Sequence, residues 1–160
     1  MNDPILLYVE DNLDDRVLFD HACREGNARF RLLTVEDGQQ AVDYLAGASR
    51  YADRSQFPIP DGVLLDIKMP ILDGFDVLRW IRGEGGLSKL PVFVYTSSYQ
   101  HADIQRAYAG KATAFLTKPS EFRALIRLAS ALYECFSSVE IKVDPLTSLP
   151  QYKRPQADDF

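Results

Sequence analysis

Residues 5–11 read Ile5-Leu6-Leu7-Tyr8-Val9-Glu10-Asp11, a run of apolar and aromatic side chains closed by two acids. An unbroken apolar run of strand length is what a strand covered on both faces requires, and such strands belong to parallel sheets lying between helices. The sequence on its C-terminal side supports that reading. Asp14 to Glu25 is predicted as a helix, with Val17, Leu18, His21 and Ala22 on one face and Gly26-Asn27 ending it. Phe30 to Val35 reads as a second strand and Gly38 to Ala46 as a second helix. Val63-Leu64-Leu65 is a third strand, followed by a helix carrying Phe75, Val77, Leu78, Trp80 and Ile81. Pro91 opens a fourth strand, Val92 to Tyr95, and Ala102 to Ala109 forms a short helix stopped by Gly110. Ala114-Phe115-Leu116 is the fifth strand, and Glu121 to Phe136 is the clearest amphipathic helix.

Strictly alternating strands and helices imply right-handed crossovers, hence a parallel sheet with helices on both sides. The expected fold is α/β: a flavodoxin-like, doubly wound, five-stranded parallel sheet of order 2-1-3-4-5 with five helices. In such sheets ligands bind beyond the carboxyl ends of the strands, where the strand order reverses, here between the first and third strands. Residues 4–136 form the predicted domain, and residues 137–160 a C-terminal tail with no output domain. Within the tail, Val139, Ile141 and Val143 alternate with polar residues, a weak strand signal. Gly47 to Asp61 reads as a surface loop, longer than the ~2–6 residues usual for such connections.

Composition narrows the function. The 160 residues include 18 Lys and Arg against 23 Asp and Glu, a net charge of −5. That balance argues against nucleic acid or an anionic membrane as the main partner, since both favour a basic surface. No apolar run approaches the ~20 residues that span a bilayer, and no secretory signal is visible, so a cytoplasmic location is expected. Cys23 and Cys135 have no CxxC spacing and read as buried thiols.

The strand ends carry the chemistry. The first strand ends in Glu10-Asp11, the third in Asp66, the fourth in Thr96-Ser97 and the fifth in Lys118-Pro119. Adjacent strands lie ~4.8 Å apart, so a threonine can act from the neighbouring strand and a lysine can bridge the ~10 Å from the next. Three carboxylates gathered at ~5 Å would cost about 3 kcal/mol per pair at an effective dielectric near 20. A hard divalent cation such as Mg²⁺ would relieve that repulsion, held by carboxylate oxygens and a backbone carbonyl. Aspartate is a competent nucleophile toward phosphoryl groups, whose transfer depends on positioning and on charge stabilisation. The assignment is Asp66 as phosphoacceptor and Glu10, Asp11 and Asp66 as metal-holding acids. The Lys68 carbonyl is a further ligand, and Thr96 and Lys118 contact phosphoryl oxygens.

These pieces resemble the receiver domains of two-component response regulators. The matching segments are Tyr8-Val9-Glu10-Asp11-Asn12, Leu64 to Pro70 with Asp73-Gly74, Val94-Tyr95-Thr96-Ser97, and Phe115-Leu116-Thr117-Lys118-Pro119. The resemblance implies a sensor histidine kinase as phosphodonor and a cis peptide at Lys118-Pro119. It also implies a switch in which Thr96 moves toward the phosphoryl group while the aromatic at 115 turns inward. Here that residue is Phe115, so a hydroxyl-mediated switch is absent. The long loop before the third strand and the lack of an output domain resemble single-domain regulators that partner bacterial phytochromes, in which phosphorylation would switch the surface of the fourth helix, fifth strand and fifth helix for partner binding or for relay to a histidine phosphotransfer protein. The chain is then no enzyme beyond self-catalysed phosphorylation and dephosphorylation.

Three other readings compete. A phosphorylation-independent interaction module would keep the fold without the chemistry. A magnesium-dependent phosphatase of the haloacid-dehalogenase type needs an acid two residues after its nucleophile, where Lys68 stands. A flavodoxin needs a phosphate loop free of the repulsion that Glu10-Asp11 would exert. A second apolar stripe on the last helix, Ala124, Leu128, Ala131 and Cys135, is a candidate homodimer surface. Asp73-Gly74 reads as a turn, and Asp14 as the cap of the first helix.

Overall fold

The computed structural model describes residues 2–84 and 86–157. The strands are β1 (Ile5–Val9), β2 (Arg31–Val35), β3 (Gly62–Leu65), β4 (Val92–Thr96), β5 (Ala114–Thr117) and β6 (Tyr152–Lys153). The helices are α1 (Leu13–Glu25), α2 (Gly38–Ala46), α3 (Gly74–Gly83), α4 (His101–Ala109) and α5 (Phe122–Glu134). Sheet order is β2-β1-β3-β4-β5-β6, parallel except for the antiparallel last pair. The flavodoxin-like order 2-1-3-4-5 is thus observed, with a sixth strand added at the β5 edge.

Alternation along each strand divides the core into two layers. Leu7, Val9, Val63, Leu65, Val92, Val94 and Phe115 face α2, α3 and α4. Leu6, Tyr8, Leu64, Phe93, Tyr95 and Leu116 face α1 and α5. Strands β3 and β4 are buried throughout, which is why their sequences are apolar without a break.

The helix ends follow local chemistry. Asn12, rather than Asp14, caps α1, its side chain accepting from Asp15 N at 3.0 Å. Asp73 caps α3 in a reciprocal box with Asp76, so Asp73-Gly74 is more than a turn. Gly74 then lies against the end of β3, where a Cβ would stand 2.3 Å from Asp66 O.

Two segments correct the sequence reading. The stretch 47–61 is a packed excursion. Tyr51 is buried against Tyr44 and Phe57, and the Arg54 guanidinium donates to the carbonyls of Tyr44, Leu45 and Phe57. The weak strand signal at 139–143 does not become a strand. Val139 is fully exposed, while Ile141 and Val143 pack on the α5 layer. The strand in this region is β6, because the open edge lies at β5 and only residues 152–153 run alongside it.

That path also covers most of the expected dimer face. Leu128, Ala131 and Cys135 are buried beneath the tail, whose Leu146 is completely enclosed in the same cluster. Ala124 is half-buried and lines a small cleft together with Leu149 and Pro150. The apolar stripe is real, and its partner is the tail of the same chain.

Candidate functional site

The carboxyl ends of β1, β3, β4 and β5 meet at one edge of the sheet. Pairing of Val9 with Leu65 brings Glu10 and Asp66 side by side. Two further ladder bonds continue past the strands, Glu10 N to Val35 O and Asp66 N to Val9 O, both 3.1 Å. The backbone alone therefore sets the two acids side by side. On the other side Lys118 N donates to Thr96 O at 2.8 Å, fixing the lysine's loop to the end of β4.

Glu10 and Asp66 are buried, and Asp11 is exposed. Ligand oxygens of all three lie within 4.8 Å of one another. Lys118 Nζ, itself largely enclosed, donates to Glu10 Oε1, to Asp15 Oδ2 at 2.8 Å and to Asp66 Oδ2 at 3.2 Å. Asp66 Oδ1 accepts from Lys68 N at 3.1 Å, which ties the loop after β3 around the carboxylate. Tyr8 Oη donates to Glu10 Oε1 at 3.3 Å, and Arg16 Nη1 donates to Glu10 O at 2.5 Å.

The charges follow from this packing. Burial pushes the Glu10 carboxyl up to about 8, the Lys118 hydrogen bond opposes that rise, and the Asp66 charge adds to it. Burial pulls Lys118 down, but its hydrogen bonds to Asp15 and Glu10 and the Asp66 charge overcome it and raise it above the ordinary lysine value. Burial also raises the Tyr8 and Tyr95 hydroxyls, which stay neutral as donors or packing groups. Three carboxylates, Glu10, Asp15 and Asp66, surround one ammonium, and Asp11 adds a fourth beside Glu10 and Asp66. This oxygen-only, anion-rich set is what a hard divalent cation prefers.

Thr96 is fully buried, and its Oγ1 accepts from Ser98 N at 3.4 Å. Ser98 Oγ in turn donates to Asp103 Oδ2 in the first turn of α4. Phe115 is fully buried within the sheet layer facing α4. The Lys118-Pro119 peptide is trans, since no cis bond occurs among the described residues. Trans is the intrinsically favoured isomer of X-Pro, and the long lysine stem reaches the acids from it.

The structure gathers Glu10, Asp11, Asp66, the Lys68 amide and Lys118 at the carboxyl edge of the sheet, with Thr96 at the end of the adjoining β4. Sequence reading missed Asp15, Tyr8 and Asp103. Asp15 carried a usable signal, because it is an acid in the first turn of the helix that follows β1 and so stands close to that strand's carboxyl end. Tyr8 carried none, since an apolar run gives no hint that its hydroxyl serves the neighbouring acid.

A 2-1-3-4-5 sheet with carboxylates collected around one lysine at its carboxyl edge is the arrangement of a receiver domain. The response regulator receiver domain profile matches residues 6–130, and the chain belongs to that family. A probable methanogenesis regulatory protein, FilR2 of Methanothrix harundinacea, is 35% identical over 81% of each chain. The phosphorylated cyanobacterial phytochrome response regulator RcpA is 29% identical, with TM-score 0.77 over 86% of this chain and 96% of its own. The Mn²⁺-bound form of Rcp1, a response regulator of Synechocystis, is 27% identical, with TM-score 0.74 over 87% and 99%.

Proposed function

We propose that this receiver accepts a phosphoryl group on Asp66 from a sensor histidine kinase, with Mg²⁺ held by Glu10, Asp11, Asp66 and the Lys68 carbonyl. The observation that carries this is the buried Asp66 carboxylate, 3.2 Å from the Lys118 ammonium, with ligand oxygens of Glu10 and Asp11 within 4.8 Å. In the transfer, an Asp66 oxygen attacks phosphorus and forms the O–P bond. The N–P bond of the donor phosphohistidine breaks, and its electron pair stays with the imidazole. Lys118 offsets negative charge on the transferring group, and Thr96, at the end of β4, supplies a hydroxyl to one of its oxygens. When bound, the metal neutralises charge on the phosphoryl oxygens. Gly74 lets α3 close against the Asp66 carbonyl and holds the loop in place.

Resemblance to RcpA, a phytochrome response regulator, supports a phytochrome-type kinase as donor, with the switch expressed as partner binding or phosphorelay. A cytoplasmic location goes with that reading, since ATP charges the kinase there. No helix among the described residues is long and apolar enough to cross a membrane. Turnover is confined to the chain's own phosphorylation and its hydrolysis.

The test is incubation with acetyl phosphate and Mg²⁺. The expected product is a hydroxylamine-sensitive phosphoryl adduct, absent in Asp66→Asn and absent when the divalent ion is chelated. An adduct that persists in Asp66→Asn, or none in the wild type, refutes the assignment.

A further inference from the structure

The resident occupant of the β5 edge is unusually slight. β6 contributes two residues, pairing Phe115 with Lys153 and Leu116 with Tyr152, and one flanking bond from Thr117 N to Gln151 O at 2.9 Å. Beyond it, the 3₁₀ turn Asp144–Leu146 seats the fully buried Leu146 in the cluster that holds Leu128, Ala131 and Cys135 of α5. Without this cover, β5 would present an unpaired strand edge beside an apolar helix stripe, a template for another extended chain.

The cover is also wired to the site. Tyr108 Oη, on α4, donates to Lys153 O at 2.5 Å and accepts from Phe115 N at 3.1 Å. At the opposite end of α4, Asp103 holds Ser98 Oγ, and Ser98 N donates to Thr96 Oγ1. Thr96, α4 and the tail are thus joined by a continuous set of hydrogen bonds. α4 buries only Ala107 and Tyr108, so it is the helix least anchored by its own side chains and the readiest to shift. Along this set, a pull on the Thr96 hydroxyl would reach Ser98 and α4, and through α4 the Tyr108 hydroxyl that holds the tail.

We propose that the β5 edge and the α5 stripe form a strand-accepting interaction surface, occupied at rest by residues 144–153 and vacated when Asp66 is phosphorylated. The proposal rests on the phosphoryl-acceptor reading above. The partner it fits is an extended segment that pairs antiparallel with β5 and places one leucine-sized side chain in the Leu146 seat.

The probe is a fluorescent peptide of residues 144–154, added to the full chain with Mg²⁺, with and without beryllofluoride. Beryllofluoride is expected to tighten its binding at least tenfold. Leu146→Asp in the protein's own tail is expected to tighten it without beryllofluoride, and the same change in the peptide to abolish binding. Amide exchange is followed in parallel. Tyr152→Gly in the protein repeats the test if Leu146→Asp lowers protection in β1 and β3. Peptide affinity that ignores beryllofluoride, while amides at 66–70 and 96–98 become protected, overturns the surface and leaves the phosphoryl-acceptor reading standing. No response at 66–70 and 96–98 overturns both.

Discussion

Glu10 is the residue on which the site's electrostatics turn. Its carboxyl is fully enclosed, shared by Tyr8 and Lys118, and raised by burial to about 8. The folded chain therefore keeps a proton that the unfolded chain releases near its ordinary 4.5. A raised value contributes stability that is complete below 4.5 and is lost progressively as pH climbs toward 8. Urea unfolding without divalent ions is expected to show stability falling between pH 5.5 and 8, and Glu10→Gln to flatten that slope. Ion binding must displace the same proton, so Mg²⁺ affinity by calorimetry is expected to weaken about tenfold per pH unit below 8. Lys118 is the complementary case. Lys118→Met leaves buried acids without their cation and is expected to cost about 3 kcal/mol of metal-free stability. The same change is expected to slow phosphorylation by acetyl phosphate about 100-fold, since it removes a preorganised positive charge from the reacting group.

Among the elements, α3 shows how a helix terminus serves a site it does not enter. Asp73 and Asp76 cap each other, and Gly74 allows the first turn to touch the backbone at Asp66 and Ile67. Gly74→Ala would place a Cβ 2.3 Å from Asp66 O and 2.6 Å from Ile67 Cα. Both contacts are backbone and cannot rotate away. The expected result is a loss of about 1–3 kcal/mol by thermal unfolding, together with slower phosphorylation, because the Asp66 loop must move. α1 is more tolerant. Asn12→Ala removes the acceptor for Asp15 N and is expected to cost about 1 kcal/mol. Its effect reaches the site through Asp15, whose carboxylate is held 2.8 Å from Lys118.

At the scale of the whole molecule, the tail completes the core. Leu146 has no exposed surface and lies with Leu128 and Cys135. Leu146→Ala is expected to lower stability by about 2–5 kcal/mol in denaturant titration, the range for emptying a buried leucine site. The excursion 47–61 is held as well, because Arg54 donates to the carbonyls of Tyr44 and Leu45 at the end of α2 and to that of Phe57 within the excursion.

The strand runs, the helix order and the acids at strand ends were legible in the sequence because each is a local property. A strand buried on both faces must be apolar throughout, and the loops after parallel strands must meet at one edge of the sheet. Glu10, Asp66 and Lys118 could therefore be placed together from their positions alone. Asp15 escaped because its role depends on the Lys118 side chain reaching it from another element, and Tyr8 because an apolar run does not show that its hydroxyl turns to Glu10 two residues on. The stripe of Ala124, Leu128, Ala131 and Cys135 was recognised as apolar, but apolarity does not say what covers it. A sheet order and a reactive edge follow from patterning within each segment. The fate of that stripe, the trans peptide before Pro119 and the sixth strand required the folded chain, because they depend on how distant segments come to lie against one another in space.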